Sequence, residues 1–302
     1  MRHGGRIAAL GLLVAAAAAW VSPATAAQRP VIYSFATGIA AETIQPGSSP
    51  PGANDWSCRP STAHPRPVVL IHGTVFDMTL SWQALSPLLT NAGWCVFALD
   101  YGGASATNPI GGTTPIEQSA GQLSAFIDRV LTATGAAQVD LVGHSQGGGA
   151  LPRYYLASVA GAPAKVHSLI GLAPSNHGTD VSGFITLLDL VPGGRNLVFG
   201  PWCPACVEQF KGSSFLAAIP DTVPGVSYTV IASARDEVVT PYQAQFLTGA
   251  TNITLQDQCA LDAVDHIGIV YDHIALQDVL DALDPAHAHP AACTPVLPIN
   301  GG

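Results

Sequence analysis

Five short, almost uninterrupted apolar runs constrain this chain more than any other feature. They are Val68-Val69-Leu70-Ile71, Cys95-Val96-Phe97-Ala98-Leu99, Val139 to Val142, Val166 to Leu172 and Tyr228-Thr229-Val230-Ile231, with Ile253-Thr254-Leu255 reading as a sixth. Segments of helical period lie between and after them: Ser81 to Ala92, Glu117 to Thr134, Leu151 to Val159 and Ile274 to Leu283. A strand that is apolar on both sides needs cover on both faces, and alternation with helices supplies it. The pattern predicts a single α/β domain over residues 27–302, with a mostly parallel central sheet and helices on both faces. In such sheets the functional residues gather beyond the carboxyl ends of the strands. That directs attention to His72-Gly73-Thr74, Asp100-Tyr101, His144-Ser145 and Arg235-Asp236.

Two segments depart from the alternation. Residues 27–66 are rich in Pro, Gly, Ser and Ala and read as an extended N-terminal arm, tied down by Cys58. Residues 176–226 are too long for an ordinary connection. They carry Phe184, Ile185, Leu187, Leu188, Leu190 and Val191 and read as a cap-like insert over the site, with extra packing as the alternative.

Before the arm, Arg2 and Arg6 flank the start of an apolar or small stretch running from Ile7 to Val21. It is short for a membrane span and suited to the core of a signal peptide, and Pro23 to Ala27 supply a small-residue cleavage site. Residues 1–26 are therefore expected to be an export signal and the remainder to be secreted. Only 10% of residues are charged, against about a quarter in ordinary soluble proteins. The formal charge of −9 becomes −11 once Arg2 and Arg6 are removed with the signal. That balance argues against nucleic acid, whose phosphates are neutralised by Lys and Arg, and against docking on an anionic membrane. A neutral, apolar substrate fits it, and nothing marks an obligate protein partner.

Six cysteines suit an oxidising compartment. They allow fifteen connectivities, among which sequence alone does not choose. Locality suggests Cys203–Cys206, Cys58–Cys95 and Cys259–Cys293. Cys203-Pro-Ala-Cys206 could also be a redox dithiol or half a zinc site. No second pair completes four ligands, and the motif does not open a thioredoxin-like helix. A structural disulfide is the expectation, and no metal site.

Gly143-His144-Ser145-Gln146-Gly147 is a G-x-S-x-G pentapeptide between an apolar run and a helical pattern. The pentapeptide alone is weak, but strand–turn–helix is the context a nucleophile elbow requires. A tight turn there pushes the serine hydroxyl into the open, and the glycines let strand and helix approach. A serine hydroxyl needs a base, and the base an orienting acid, in the chain order Ser, Asp or Glu, His. Asp236 follows the fifth run closely and is the expected acid, with Glu237 its rival. His266 lies after the sixth run and before the last helix and is the expected base. His273 is read as a capping or surface residue, and His287 and His289 fall in a Pro/Ala-rich tail. His72 and His144 precede the acid in the chain and are read as supporting donors. The oxyanion of a tetrahedral intermediate needs two fixed donors. The N–H of Gln146 is one, and the loop at Gly73-Thr74 should supply the other, with the Thr74 hydroxyl a candidate third.

These segments resemble the secreted bacterial triacylglycerol lipases and esterases of the α/β-hydrolase superfamily. The resemblance rests on Val68 to Thr74, Val142 to Gly148, Ala234-Arg235-Asp236-Glu237-Val238-Val239-Thr240-Pro241, and Leu255 to Cys259 followed by Asp265-His266-Ile267-Gly268. The D-E-V-V-T-P run and the spacing from Cys259 to Asp265-His266 are similar to those of a fungal lipase with a small lid. The resemblance implies a triad of Ser145, Asp236 and His266, oxyanion donors at Thr74 and Gln146, and neither metal nor organic cofactor. It also implies one bridge near each end of the chain, which supports Cys58–Cys95 and Cys259–Cys293. Cys203-Pro-Ala-Cys206 has no counterpart in the fungal pattern, so lid behaviour and acyl-chain preference do not carry over. The expected activity is hydrolysis of lipid-like esters, which could be presented at a lipid–water interface. A polyester hydrolase, an amidase or peptidase on the same fold, and a non-catalytic binding module are the rival readings.

Overall fold

The computed structural model describes Met1, residues 28–105 and residues 107–302. Apart from Met1, the proposed export signal lies outside the described residues. No helix among the described residues is long and apolar enough to cross a membrane.

The apolar runs form six strands: β1 (Val68–Ile71), β2 (Val96–Leu99), β3 (Val139–His144), β4 (Val166–Leu172), β5 (Ser227–Ala232) and β6 (Thr251–Thr254). They make one sheet in the order β2-β1-β3-β4-β5-β6, with every pairing parallel. Successive side chains of a strand point to opposite faces, and the two halves of the core follow that rule. Val69, Ile71, Phe97, Leu99 and Leu141 pack against the helices Ile116–Thr134 and Ala150–Ser158, through Leu123, Ile127, Val130, Leu151 and Tyr155. Val68, Leu70, Val96, Ala98, Val142 and Ile170 pack against Leu85–Asn91 and His273–Leu283, through Leu85, Leu89, Ile274, Leu276 and Val279. This double cover explains why the strands read as unbroken apolar runs.

The details depart from the sequence reading in four places. The arm is not wholly extended: Phe35–Ile44 is a helix. Gly38 lies so close to the Leu80 carbonyl and the Tyr271 hydroxyl that any Cβ would clash, so packing on the sheet body holds it. The expected helix over 81–92 is two, Met78–Ser81 and Leu85–Asn91. Pro87 lacks the N–H a continuous helix would need, but it is tolerated in a first turn, so the helix restarts just ahead of it. β6 begins two residues earlier than the apolar run, and Leu255 opens a short helix instead of ending the strand. β3 runs on to His144, which brings the strand up to the serine.

The arm also closes one sheet edge. Asn54, at φ 62°, donates its N–H to the Val96 carbonyl (2.9 Å). Its side chain accepts from the Ala98 N–H (3.0 Å) and donates to the Ala98 carbonyl (2.9 Å), so β2 is paired on its outer side. Three disulfides are present, Cys58–Cys95, Cys203–Cys206 and Cys259–Cys293. The insert folds as the short helices Phe184–Leu188, Gly194–Val198, Pro204–Glu208 and Ser214–Ala217.

Candidate active site

β3 ends at His144, and the chain turns through a short 3₁₀ segment, Ser145–Gly148, into the helix Ala150–Ser158. Ser145 has φ 54°, in the left-handed region that non-glycine residues rarely occupy. The flanking glycines are sterically required. A Cβ on Gly143 would fall on the Gly147 carbonyl, and one on Gly147 would strike the carbonyls of Ile71 and His72 in β1 and the loop after it. The pentapeptide is therefore a strained turn wedged against the neighbouring strand.

Ser145 lines a cavity of about 290 Å³ whose wall is almost entirely apolar. The sheet side contributes Thr74, Val75, Phe76, Val238, Val239, His266 and Ile267, and the insert contributes Val181, Phe199, Trp202, Cys206, Gln209 and Phe210. Ser145 and His266 thus meet at one cavity, though no hydrogen bond between them is closed in this structure. Catalytic hydrogen bonds of free enzymes often tighten only when substrate is bound.

His266 Nδ1 donates to Asp236 Oδ2 at 2.7 Å. The carboxylate is held on all sides. Oδ1 accepts from the N–H groups of Val238 (2.9 Å) and Val239 (2.7 Å), and Oδ2 also accepts from Gln245 Nε2 (2.8 Å). Glu237 reaches only the backbone N–H of His266, at 3.4 Å, so Asp236 is the carboxylate that holds the ring. Burial opposes the charged form of His266. The charge and hydrogen bond of Asp236, with Glu237 and Asp265 nearby, outweigh it and raise the pKa above the ordinary imidazole value. Asp265 also shapes this loop, accepting from the N–H groups of Ile267, Gly268 and Ile299.

The other histidines separate clearly. His144 is buried, and its Nε2 donates to the His266 carbonyl at 2.9 Å, so it braces the loop that carries His266. Burial, then the neighbouring His266, push its pKa well below the usual value, and it stays neutral. Burial likewise lowers His72 to about 4. Its Nδ1 donates to the Gly73 carbonyl (2.8 Å), its Nε2 accepts from the Tyr101 N–H (3.3 Å), and its ring stacks on Tyr101. Both therefore act as fixed props. His273 bonds to the Ala292 carbonyl, His287 pairs with Asp284, and His289 meets Gln277. None of these three lines the cavity.

Thr74 is fixed by two amides. Its Oγ1 accepts from Gln146 Nε2 and from Gln209 Nε2, both at 3.1 Å. A hydroxyl has two acceptor sites and one proton. With both sites filled, the proton must point elsewhere, and Thr74 lines the cavity. The Thr74 N–H meets no protein acceptor among the described residues, and the Gln146 N–H lies in a first helical turn, where backbone donors lack intrahelical partners. Thr74 thus lines the same cavity as Ser145, and Gln146 follows Ser145 directly in the chain. Gln209 is itself held by Ser175, whose hydroxyl donates to its Oε1 at 2.7 Å. Gln209 and Gln245 are absent from the sequence reading. Each acquires its role through contacts between segments far apart in the chain, and no local spacing marks either one. Among the described residues no group of three His, Cys, Asp or Glu could hold a metal ion.

A family model described as Lipase (class 2) matches residues 65–277. The chain is 31% identical over 124 residues to a triacylglycerol lipase of Pseudarthrobacter phenanthrenivorans, a match covering 39% of this chain and 36% of that one. A triacylglycerol lipase of Burkholderia plantarii matches at 31% over 124 residues, 39% of this chain and 32% of the other. The chain therefore spans about a third of the length of these two curated relatives. One from Vibrio cholerae is 27% identical over 221 residues, covering 64% of this chain and 66% of the relative. Among solved structures, Aspergillus fumigatus lipase B superposes with a TM-score of 0.59 at 21% identity, over 80% of this chain and 61% of that one. A mature Bacillus licheniformis lipase gives 0.53 at 17%, over 74% and 94%. At these identities the likeness shows the fold, and the fold is that of an α/β-hydrolase.

Proposed function

The chain belongs to the class 2 lipase family, and from that premise we propose that it is a secreted carboxylic-ester hydrolase acting on lipid-like esters through an acyl-enzyme on Ser145. The observation that carries the reading is the strained Ser145 opening into an apolar cavity beside an imidazole whose far nitrogen rests on a fixed carboxylate. His266 Nε2 takes the Ser145 proton as Oγ attacks the ester carbonyl. The resulting oxyanion is met by the N–H groups of Thr74 and Gln146 and by the hydroxyl of Thr74, whose oxygen is held by the Gln146 and Gln209 amides. Asp236 keeps Nε2 free as the acceptor and stabilises the imidazolium. His266 then returns the proton to the leaving alcohol, the acyl group stays on Ser145 Oγ, and water activated by His266 releases the acid.

The low charge of the wall favours an apolar acyl group, since a charged one would lose its hydration there unpaired. Leu187, Leu190, Leu197 and Trp202 of the insert are exposed, and Trp202 also lines the cavity, which supports a cap that meets substrate at a lipid–water interface. Three disulfides and the apolar N-terminal stretch support export. The test is hydrolysis of p-nitrophenyl esters from acetate to palmitate, with an organophosphonate label and Ser145→Ala as control. The expected result is one phosphonate on Ser145 and loss of esterase activity with it. An unlabelled Ser145, or an unchanged rate in Ser145→Ala, refutes the mechanism. A parallel panel of amides and polyesters separates this reading from its rivals.

A further inference from the structure

One buried cation ties the insert to the sheet body at both of its ends, and it also pairs with Asp221 of the insert at 3.5 Å. Arg153, in the helix that leaves the elbow, donates from Nη1 to the Asn176 carbonyl at 2.6 Å. From Nη2 it donates to the carbonyls of Ile219 (3.2 Å) and Pro220 (2.9 Å). These acceptors stand at the two ends of the 176–226 insert, so a single guanidinium holds both of its feet. Asn176 is fully buried, and its Nδ2 donates to the Gln245 carbonyl at 2.5 Å. Gln245 is fully buried too, and its Nε2 donates to Asp236 Oδ2, the oxygen that also holds His266 Nδ1.

The amide of Gln245 has only one workable orientation, because its oxygen turned toward Asp236 would set two acceptors in contact. Its Oε1 meanwhile has no partner. An orphaned acceptor in a dry site destabilises a fold, so a side chain needed only for packing would be better served by Leu or Met. What the amide supplies is the second anchor of the carboxylate. Backbone N–H groups fix Oδ1 and Gln245 fixes Oδ2, which leaves one direction open, toward His266.

We propose that Gln245 is a positioning residue for the triad, and that through Asn176 and Arg153 it ties the orientation of Asp236 to the seating of the insert. This rests on the Ser145–His266–Asp236 reading. A ligand that presses on Phe199, Trp202 or Phe210 strains the insert's feet, and the chain of hydrogen bonds delivers that strain to the carboxylate.

The test compares wild type, Gln245→Leu, Arg153→Lys and Asp236→Asn on a soluble short-chain p-nitrophenyl ester. Rates are expressed per phosphonate-titrated site, so that unfolded chains do not count. In Gln245→Leu, kcat is expected to fall about tenfold, with KM held within about twofold. The acidic limb of kcat/KM is expected to move to higher pH, because the carboxylate has lost a donor that shared its charge. Arg153→Lys keeps the charge but not the planar fork, and should move the limb the same way by less. A lower titratable fraction with an unmoved limb means packing alone and overturns the proposal. Wild-type kcat and limb in Gln245→Leu, beside an inactive Asp236→Asn, overturn it while leaving the triad standing. An active Asp236→Asn overturns the triad and the proposal together. An unmoved limb in Arg153→Lys removes the link to the insert.

Discussion

The sheet body and the insert use the same kinds of residue in opposite ways. In the body, Val68 to Ile71 are fully buried, and so are Leu141 and Val142 of β3 and Leu123, Ile127, Leu151 and Tyr155 of the covering helices. In the insert, Leu187, Leu190, Leu197 and Trp202 stand open, while Ile185 and Phe210 are buried. The body binds its apolar surface to itself and gains stability, since burying a Leu or Ile contributes about 1.5–3 kcal/mol. The insert leaves much of its apolar surface unspent and holds its shape with local devices. These are the Cys203–Cys206 bridge, the Arg195–Asp189 pair and the Lys211–Asp180 pair. Exposed apolar side chains on an element that also lines an apolar cavity suit contact with a greasy ligand better than they suit folding. Under the proposed function, the difference places rigidity and chemistry at the sheet's carboxyl edge and gives the insert a share of substrate contact.

Removing the proposed nucleophile should strike the body's contribution hardest. Ser145→Ala should lower kcat by on the order of 10⁴-fold or more, with an unfolding midpoint near that of wild type, and single-turnover rates with urea melts would check both. The next comparison sets two leucines against each other. Leu70→Ala, in the buried centre of β1, should cost about 2–5 kcal/mol in urea unfolding. Leu190→Ala, on the exposed insert, should cost about 0.5 kcal/mol or less, yet slow turnover on an emulsified long-chain ester more than on a dissolved short one. If the two variants lose equal stability, the division of labour is wrong.

A smaller effect tests the seam between the regions. Thr74→Val deletes the hydroxyl held between Gln146 of the body and Gln209 of the insert. It should lower kcat by roughly 10²-fold with little change in KM, measured by steady-state kinetics. The mildest perturbation is pH. In the proposed mechanism His266 must be neutral to accept the serine proton, and Asp236 raises its pKa above the ordinary 6.5. Activity should therefore fall as pH drops through that raised value, and kcat/KM against pH should show the limb above 6.5. The same limb measured with Leu190→Ala should not move.

Much of this was legible in the chain because the body obeys local rules. Strands covered on both faces leave unbroken apolar runs, and Gly143 and Gly147 mark a turn that tolerates no Cβ. Asp236 follows β5 closely and His266 lies in the loop between β6 and the last helix, on the side where a parallel sheet collects its functional groups. Nearest-neighbour pairing in sequence also matched the three disulfides. The rest depends on contacts that no short window contains. The Phe35–Ile44 helix is held by the approach of Gly38 to Leu80 and Tyr271, residues far along the chain. Gln209 and Gln245 become important only because folding carries them to Thr74 and Asp236. An amide in a loop has no periodicity and no characteristic neighbours, so its meaning arises in three dimensions.

The plug that Asn54 places along β2 has a consequence beyond the catalytic edge. Among the described residues the other outer strand, β6, has no partner on its far side, and its Thr-Asn-Ile-Thr sequence is short and polar. Copies concentrated side by side on an oil droplet would find little template for joining into fibrils, so crowding there should not by itself convert the protein into aggregate.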